Sequence, residues 1–321
     1  MQISNATRYA LGVCAVVTLA GCGASQASLG PREPMGQNAM LAVRPDRGRS
    51  WMAPDAKKAN LVYISDLGTD DVYVYSYPGG NLEGTLTGFN RPWGLCVDKA
   101  GKVFVTDDTA FRILEYAHGG AKPLVILKDP GEDPGGCSVD PTTGDLAVAN
   151  ISTPATAPGD VAIYKEARGA RKTYKDPQIS FYEYCGYDNQ GNLYVDGMKG
   201  GAFAFAELPE GKHSFVNIGL NENIAFGGSV QWDGTYVAIR DYQANVIYQF
   251  SISGSGGTEI GSTPLNGSSY AVQFWVQGSN VVGPNAYGGN VMFWNYPAGG
   301  SPTQTINDLT TPWGVTISMA G

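Results

Sequence analysis

A unit of about 44 residues recurs along this chain, and that period restricts the possible fold more than any other feature. Each unit reads as a turn, an apolar strand and a polar end, as in Asp98-Lys-Ala-Gly-Lys-Val-Phe-Val-Thr-Asp107 and Asp188-Asn-Gln-Gly-Asn-Leu-Tyr-Val-Asp-Gly197. Aligning the polar ends gives Asp66, Asp107, Asn150, Gly197, Asp241 and Asn285, at steps of 41, 43, 47, 44 and 44 residues. A period of this length with about four strands in it is the signature of a β-propeller, in which four-stranded blades stand around a channel.

The expected innermost strands are Pro92–Asp98, Gly135–Asp140, Glu183–Asp188, Gly228–Asp233, Val272–Gln277 and Trp313–Ser318. Six such strands predict six four-stranded antiparallel blades in an all-β fold. The ordered part opens with Leu61–Ser65, a second strand with no inner strand before it. It closes with Trp313–Ser318, an inner strand with no second strand after it. Together they complete one blade, so strands from the two ends of the chain close the ring and leave no open edge. Tyr77-Pro78-Gly79-Gly80 leading to Pro92-Trp93-Gly94 is repeated as Tyr296-Pro297-Ala298-Gly299-Gly300 leading to Pro312-Trp313-Gly314. With 44 Gly and 18 Tyr, the composition suits short strands joined by tight turns.

The amino terminus is built differently. Arg8 precedes an apolar run from Tyr9 to Ala20. The run is too short to span a bilayer, which takes about 20 residues, but has the length of a secretory core. It ends in Leu19-Ala20-Gly21-Cys22, which resembles the lipobox of bacterial prolipoproteins. That resemblance implies cleavage before Cys22, acylation of its thiol and attachment to a membrane. Gly23, where an Asp would retain a Gram-negative lipoprotein at the inner membrane, implies the outer membrane. The expected domains are therefore a signal peptide at 1–21, lipidated Cys22 with a disordered tether at 22–58, and a propeller at 59–321. Net charge is +1 over 1–21, +3 over 22–58 and −12 over 59–321. An acidic body argues against nucleic acid as a partner. Beyond the leader and Cys22 lie Cys96, Cys137 and Cys185, all on inner strands, where they are expected to behave as small buried hydrophobes.

The units resemble the NHL-type propeller repeat: Asp98-x-x-Gly101, the strand Val103-Phe-Val-Thr-Asp107, then Arg112-Ile113; Asp188-x-x-Gly191 before Leu193-Tyr-Val is the next best match. The resemblance, within the NHL and TolB-like propellers, implies a six-bladed ring over about 61–318.

In such a ring the starts of the inner strands and the ends of the second strands share one face. That face should collect Asp66, Asp107, Asn150, Asp241 and Asn285, with Trp93 and Trp313 at matching positions of neighbouring blades and Tyr182 on a loop beside them. Asp and Asn at a repeated turn position suit loop hydrogen bonding, and Trp between Pro and Gly suits packing between blades. If a ligand binds, paired aromatics beside carboxylates and amides suit a small molecule, a glycan or a peptide. Enzyme motifs are absent, and neither His118 nor His213, the two histidines, is placed to reach the mouth. The expected function is a cell-envelope binding or scaffold propeller. The alternative is a calcium-assisted lactonase-like hydrolase or lyase using the carboxylates of the mouth.

Overall fold

The computed structural model describes residues 48–152 and 158–321. The leader, Cys22 and the tip of the long loop expected at Ile151–Gly159 lie outside the described residues.

Six sheets form the blades of a propeller, each with four antiparallel strands. The first consists, from the channel outwards, of Pro312–Ser318, Leu61–Asp66, Asp71–Ser76 and Leu82–Leu86, so the two ends of the propeller meet in one sheet as expected. The second runs through Pro92–Val97, Val103–Asp107, Arg112–Tyr116 and Pro123–Lys128. The inner strands of the third to sixth are Pro134–Val139, Phe181–Tyr187, Gly227–Trp232 and Trp275–Gln277. The last is shorter than the expected Val272–Gln277, because Val272 to Phe274 bond to neighbouring blades rather than to their own sheet.

The strand sequences are apolar without a clean alternation because a blade has no wet face. Along Leu61–Asp66, Leu61 and Tyr63 pack against the second blade, while Val62 and Ile64 pack against the sixth. The period of two is still present, but it divides the side chains between two neighbours instead of between core and water. The other gaps between blades are filled in the same way.

The propeller begins earlier than residue 59. Trp51–Met52 pairs with Leu82–Leu86 as an outer fifth strand, and Ala56, in a short turn, is fully buried in the seam between the first two blades. Residues 48–58 therefore belong to the propeller rather than to the tether. Pairing covers the edge that the weak outer strand would otherwise expose. In the fifth blade Gly219–Leu220 does the same for Gly256–Pro264.

The repeated Tyr-Pro phrase has one backbone in both places. The Tyr77–Pro78 and Tyr296–Pro297 bonds are cis, and the turns close with Gly80 N–H to the Ser76 carbonyl and Gly299 N–H to the Asn295 carbonyl, each 2.8 Å.

Cys96 and Cys137 form a disulfide, with Cα atoms 5.7 Å apart; the expectation of unpaired hydrophobes was wrong for these two. The reason is strand phase. Cys96 lies opposite Phe104 on its partner strand, whereas Cys137 lies opposite Val148, the counterpart of Val105. That offset of one residue turns the two side chains to opposite faces of their sheets, and in adjacent blades those faces look at each other. Cys185 shares the phase of Cys137, opposite Val195, and stays a buried free thiol.

Candidate functional site

At the start of the inner strand, the pairing with the second strand slips in five of the blades. The slip leaves backbone groups without ladder partners, and side chains on the second strand take them up. Asp66 is fully buried. Its Oδ1 accepts the N–H groups of Gly68 (2.8 Å) and Thr311 (2.9 Å), and its Oδ2 that of Thr310 (2.7 Å). Asp107 accepts Asn90 N–H at 2.6 Å and the Arg112 guanidinium at 2.8 Å. Asp241 accepts Ala225 N–H at 2.8 Å, and Asn285 accepts Ser269 N–H at 2.8 Å. Asn150 donates to Asp160 at 2.8 Å. Asp66, Asp107, Asp241 and Asn285 thus hold the loops that lead into the inner strands, whereas Asn150 bonds across to the next strand of its own sheet. Tyr182 is also fully buried, its hydroxyl engaged by the backbone of Asp176.

One residue earlier on the second strand, a further position links neighbouring blades. Ser65 Oγ accepts Gly314 N–H (2.8 Å) and donates to the Trp93 carbonyl (2.6 Å) of the next blade. Thr106 Oγ1 accepts Gly94 N–H (2.8 Å) and donates to the Gly135 carbonyl (2.6 Å). In the fifth blade Arg240 Nε donates to the Ala271 carbonyl (2.9 Å). In the fourth the position is Asp196, whose Oδ1 accepts Tyr184 N–H (2.9 Å) while Oδ2 is buried without a partner. Burial, reinforced by the charge of Glu183, pushes this carboxyl well above the usual range. A carboxyl raised in the folded state contributes stability that is fully present below its unfolded value and is lost as pH rises through the folded one. Asp196→Thr supplies the uncharged hydroxyl that Thr106 provides in the second blade. It is expected to raise stability at neutral and alkaline pH by about 1–3 kcal/mol, the cost of an unsatisfied buried polar group. It should also flatten the decline with pH, as thermal unfolding between pH 5 and 9 will show. An unchanged pH slope would mean that Asp196 is not the group responsible.

The mouth itself is filled. Trp93 and Trp313 are only 7% and 8% exposed, and their rings meet at 4.7 Å. They cluster with Tyr184, Val272 and Ala286. Glycines create the space: a Cβ on Gly136 would strike the Tyr184 ring, and one on Gly314 would strike the Trp93 carbonyl. Behind them, Gln273 reaches over to the second blade, donating to the Leu95 carbonyl (2.7 Å) and accepting Leu95 N–H (3.2 Å).

Aromatic residues continue from this plug onto the surface. Trp313 packs on Tyr270 (5.6 Å), and Tyr270 on both Tyr242 and Tyr287 (4.8 Å each). Tyr287 is 74% exposed, and Phe111 and Phe181 also face solvent. The Arg91 guanidinium lies over Trp93 at 5.1 Å. The sequence reading found the two Trp residues and missed the Tyr residues. The available signal was offset: Tyr242 and Tyr287 follow the strand-end residues Asp241 and Asn285 by one and two positions.

Among the described residues, no three His, Cys, Asp or Glu side chains gather into a set able to hold a metal ion. The channel opens at its other end, by the short turns of the inner strands. A cavity of about 380 Å³ there has the Cys96–Cys137 bridge in its wall and Lys99 and Asp188 at its rim.

Residues 89–116 match the family model of the NHL repeat. No curated protein matches the chain. Among solved structures, a chain of a nidogen/laminin complex is similar at 14% identity and a TM-score of 0.68, over 81% of this chain and 99% of that one. A protein of unknown function from Bacteroides caccae matches at 11% identity and a TM-score of 0.62, over 81% and 99%. A functionally unknown protein from Desulfotomaculum acetoxidans matches at 10% and 0.58, over 82% and 100%. At these identities the likeness is one of fold.

Proposed function

We propose that this chain is a lipid-anchored protein of the bacterial cell envelope whose propeller serves as a protein-binding scaffold, with the aromatic face around the plugged mouth as its docking surface. The observation that carries the reading is the aromatic row from Trp93 through Trp313 and Tyr270 to the exposed Tyr287. Rigid aromatic rings braced from behind expose apolar area at little entropic cost, and such residues dominate binding hot spots. A filled channel mouth favours a partner that lies across the face over a small molecule that enters it. One similar structure was solved within a nidogen/laminin complex, which agrees with a propeller that works by binding protein.

The envelope location rests on two independent features. The Leu19-Ala20-Gly21-Cys22 motif follows a short apolar run, and the propeller contains a disulfide, a bond that persists in oxidising compartments and is rare in the cytosol. The acidic propeller and the basic stretch before it fit a body held off an anionic membrane.

Both parts can be tested in one cross-linking and fractionation experiment in the native host. The wild-type protein is expected in the membrane fraction, cross-linked to a discrete partner. Cys22→Ala should move it to the soluble fraction. Tyr287→Ala should leave it in the membrane and weaken capture at least several-fold, since an aromatic anchor is worth roughly 2 kcal/mol or more. Soluble wild-type protein would refute the anchor. Capture that survives Tyr287→Ala combined with Phe181→Ala would refute the docking face.

A further inference from the structure

On the turn side of the ring, away from the aromatic face, a second cavity of about 330 Å³ lies between the fourth and fifth blades. It adjoins the channel cavity, and the two share Asp188 and Trp232. Their linings differ. The channel part is walled by inner strands and is mainly apolar, with Val97, Val139 and Val230. The outer part is polar, with Gln190, Glu207, Thr235 and Ser251.

Trp232 stands at the seam. Its ring is partly exposed, and its Nε1–H is closed off from solvent with no hydrogen-bond partner. Asp188 is fixed by the N–H groups of Gln190 and Asn192 (each 2.9 Å) and by the Asn192 side-chain amide (2.8 Å). Glu207 faces the same cleft, its carboxyl pushed up by burial first and by Asp188 second.

These features select among ligand classes. Two carboxylates at one cleft repel an anion. A wholly apolar molecule would strand Glu207, Gln190 and the hydroxyls of Thr235 and Ser251 without water. A ligand that offers an apolar face to an indole and hydroxyls to carboxylate, amide and hydroxyl groups satisfies both linings, and an uncharged sugar chain has that chemistry. The two cavities, about 380 and 330 Å³, together offer more room than a single ring needs. We infer that this cleft and the channel cavity it adjoins form a binding site for a neutral oligosaccharide, with one ring packed on Trp232 and its hydroxyls held by Glu207 and Gln190. The site is at the opposite end of the molecule from the protein-docking face, so either proposal can fail without the other.

The test is calorimetry of the mature propeller with cellotetraose, maltotetraose and chitotetraose, and with tetragalacturonate as the anionic control. At least one neutral tetramer should bind saturably, and the anion should not. Trp232→Ala should weaken binding at least tenfold and Glu207→Gln at least threefold, while Tyr287→Ala leaves it unchanged. Should Trp232→Ala fail to fold, Ser251→Arg fills the exposed wall of the cleft and is expected to abolish binding with an unaltered melting curve. The inference is overturned if none of the three neutral tetramers binds at millimolar concentration. It is equally overturned if binding persists through Glu207→Gln and Ser251→Arg, or if the anion binds as well as the neutral chains.

Discussion

A chain that ends at Pro312 is expected to lose cooperative unfolding. The missing segment is the inner strand of the first blade, buried along its whole length, with Trp313, Val315 and Ile317 packed between blades. Burial of three such side chains contributes about 5–9 kcal/mol, comparable to the 5–15 kcal/mol that a typical domain has in total. The deletion also strips the ladder from Leu61–Asp66, which loses its register partners from Leu61↔Ser318 to Ile64↔Val315. It removes the Gly314 N–H that Ser65 accepts. The exposed strand edges then template association. Denaturant unfolding and gel filtration check this: the truncated protein should show a broad transition or aggregate. A chain lacking residues 1–47 serves as the control, with an expected transition like that of the full chain. A sharp wild-type transition in the carboxyl-terminal truncation would refute ring closure by the two termini.

The second large effect concerns the Cys96–Cys137 bridge. It joins positions 41 residues apart, and loop-closure entropy for a span of that size corresponds to about 4 kcal/mol. The bridge ties the inner strands of two adjacent blades beside the channel, where no backbone ladder links one sheet to the next. Cys96→Ser with Cys137→Ser, or the wild-type protein under strong reductant, should therefore unfold at markedly lower denaturant, with a loss of roughly 2–5 kcal/mol. Cys185→Ala should leave the transition close to wild type, because this thiol is unpaired. Thiol titration of the unfolded propeller should find a single reactive cysteine before reduction and three after it. An oxidised protein with three free thiols would show that the bridge does not form.

Much of the polar closure between blades runs through single side chains, and the sequence announces few of them. Ser138 Oγ accepts Tyr187 N–H at 3.0 Å. Ser229 Oγ accepts Phe274 N–H at 2.9 Å. Gln231 brackets Val276, accepting its N–H at 2.7 Å and donating to its carbonyl at 3.2 Å. Inner strands have one edge on the channel, and these side chains satisfy backbone groups that a flat sheet would give to another strand. Such residues look like ordinary polar positions in a strand until the neighbouring blade is in place.

The architecture was legible in the residues alone, because a propeller is a repeat of local units. The spacing of Asp66, Asp107, Asn150, Gly197, Asp241 and Asn285 counts the blades, and the unmatched strands at the two ends, with the shared Tyr-Pro and Pro-Trp-Gly phrases, identify the blade that closes the ring. The structural work of the strand-end Asp and Asn residues was also legible, since hydrogen bonding to a nearby loop is a short-range property of the residue type. Which faces meet became visible with the blades in place. A shift of one residue between equivalent strands reverses the direction of a side chain, and that reversal pairs Cys96 with Cys137 and leaves Cys185 alone. Likewise, Gly136 and Gly314 read as turn or strand glycines in the sequence, but in the ring they make room for Tyr184, Trp93 and Gln273, which close the mouth. The open cavity consequently lies at the other end of the channel. Contacts of this kind join residues as far apart as Leu95 and Gln273, and they depend on how all six blades are turned about a common axis, which no single repeat encodes.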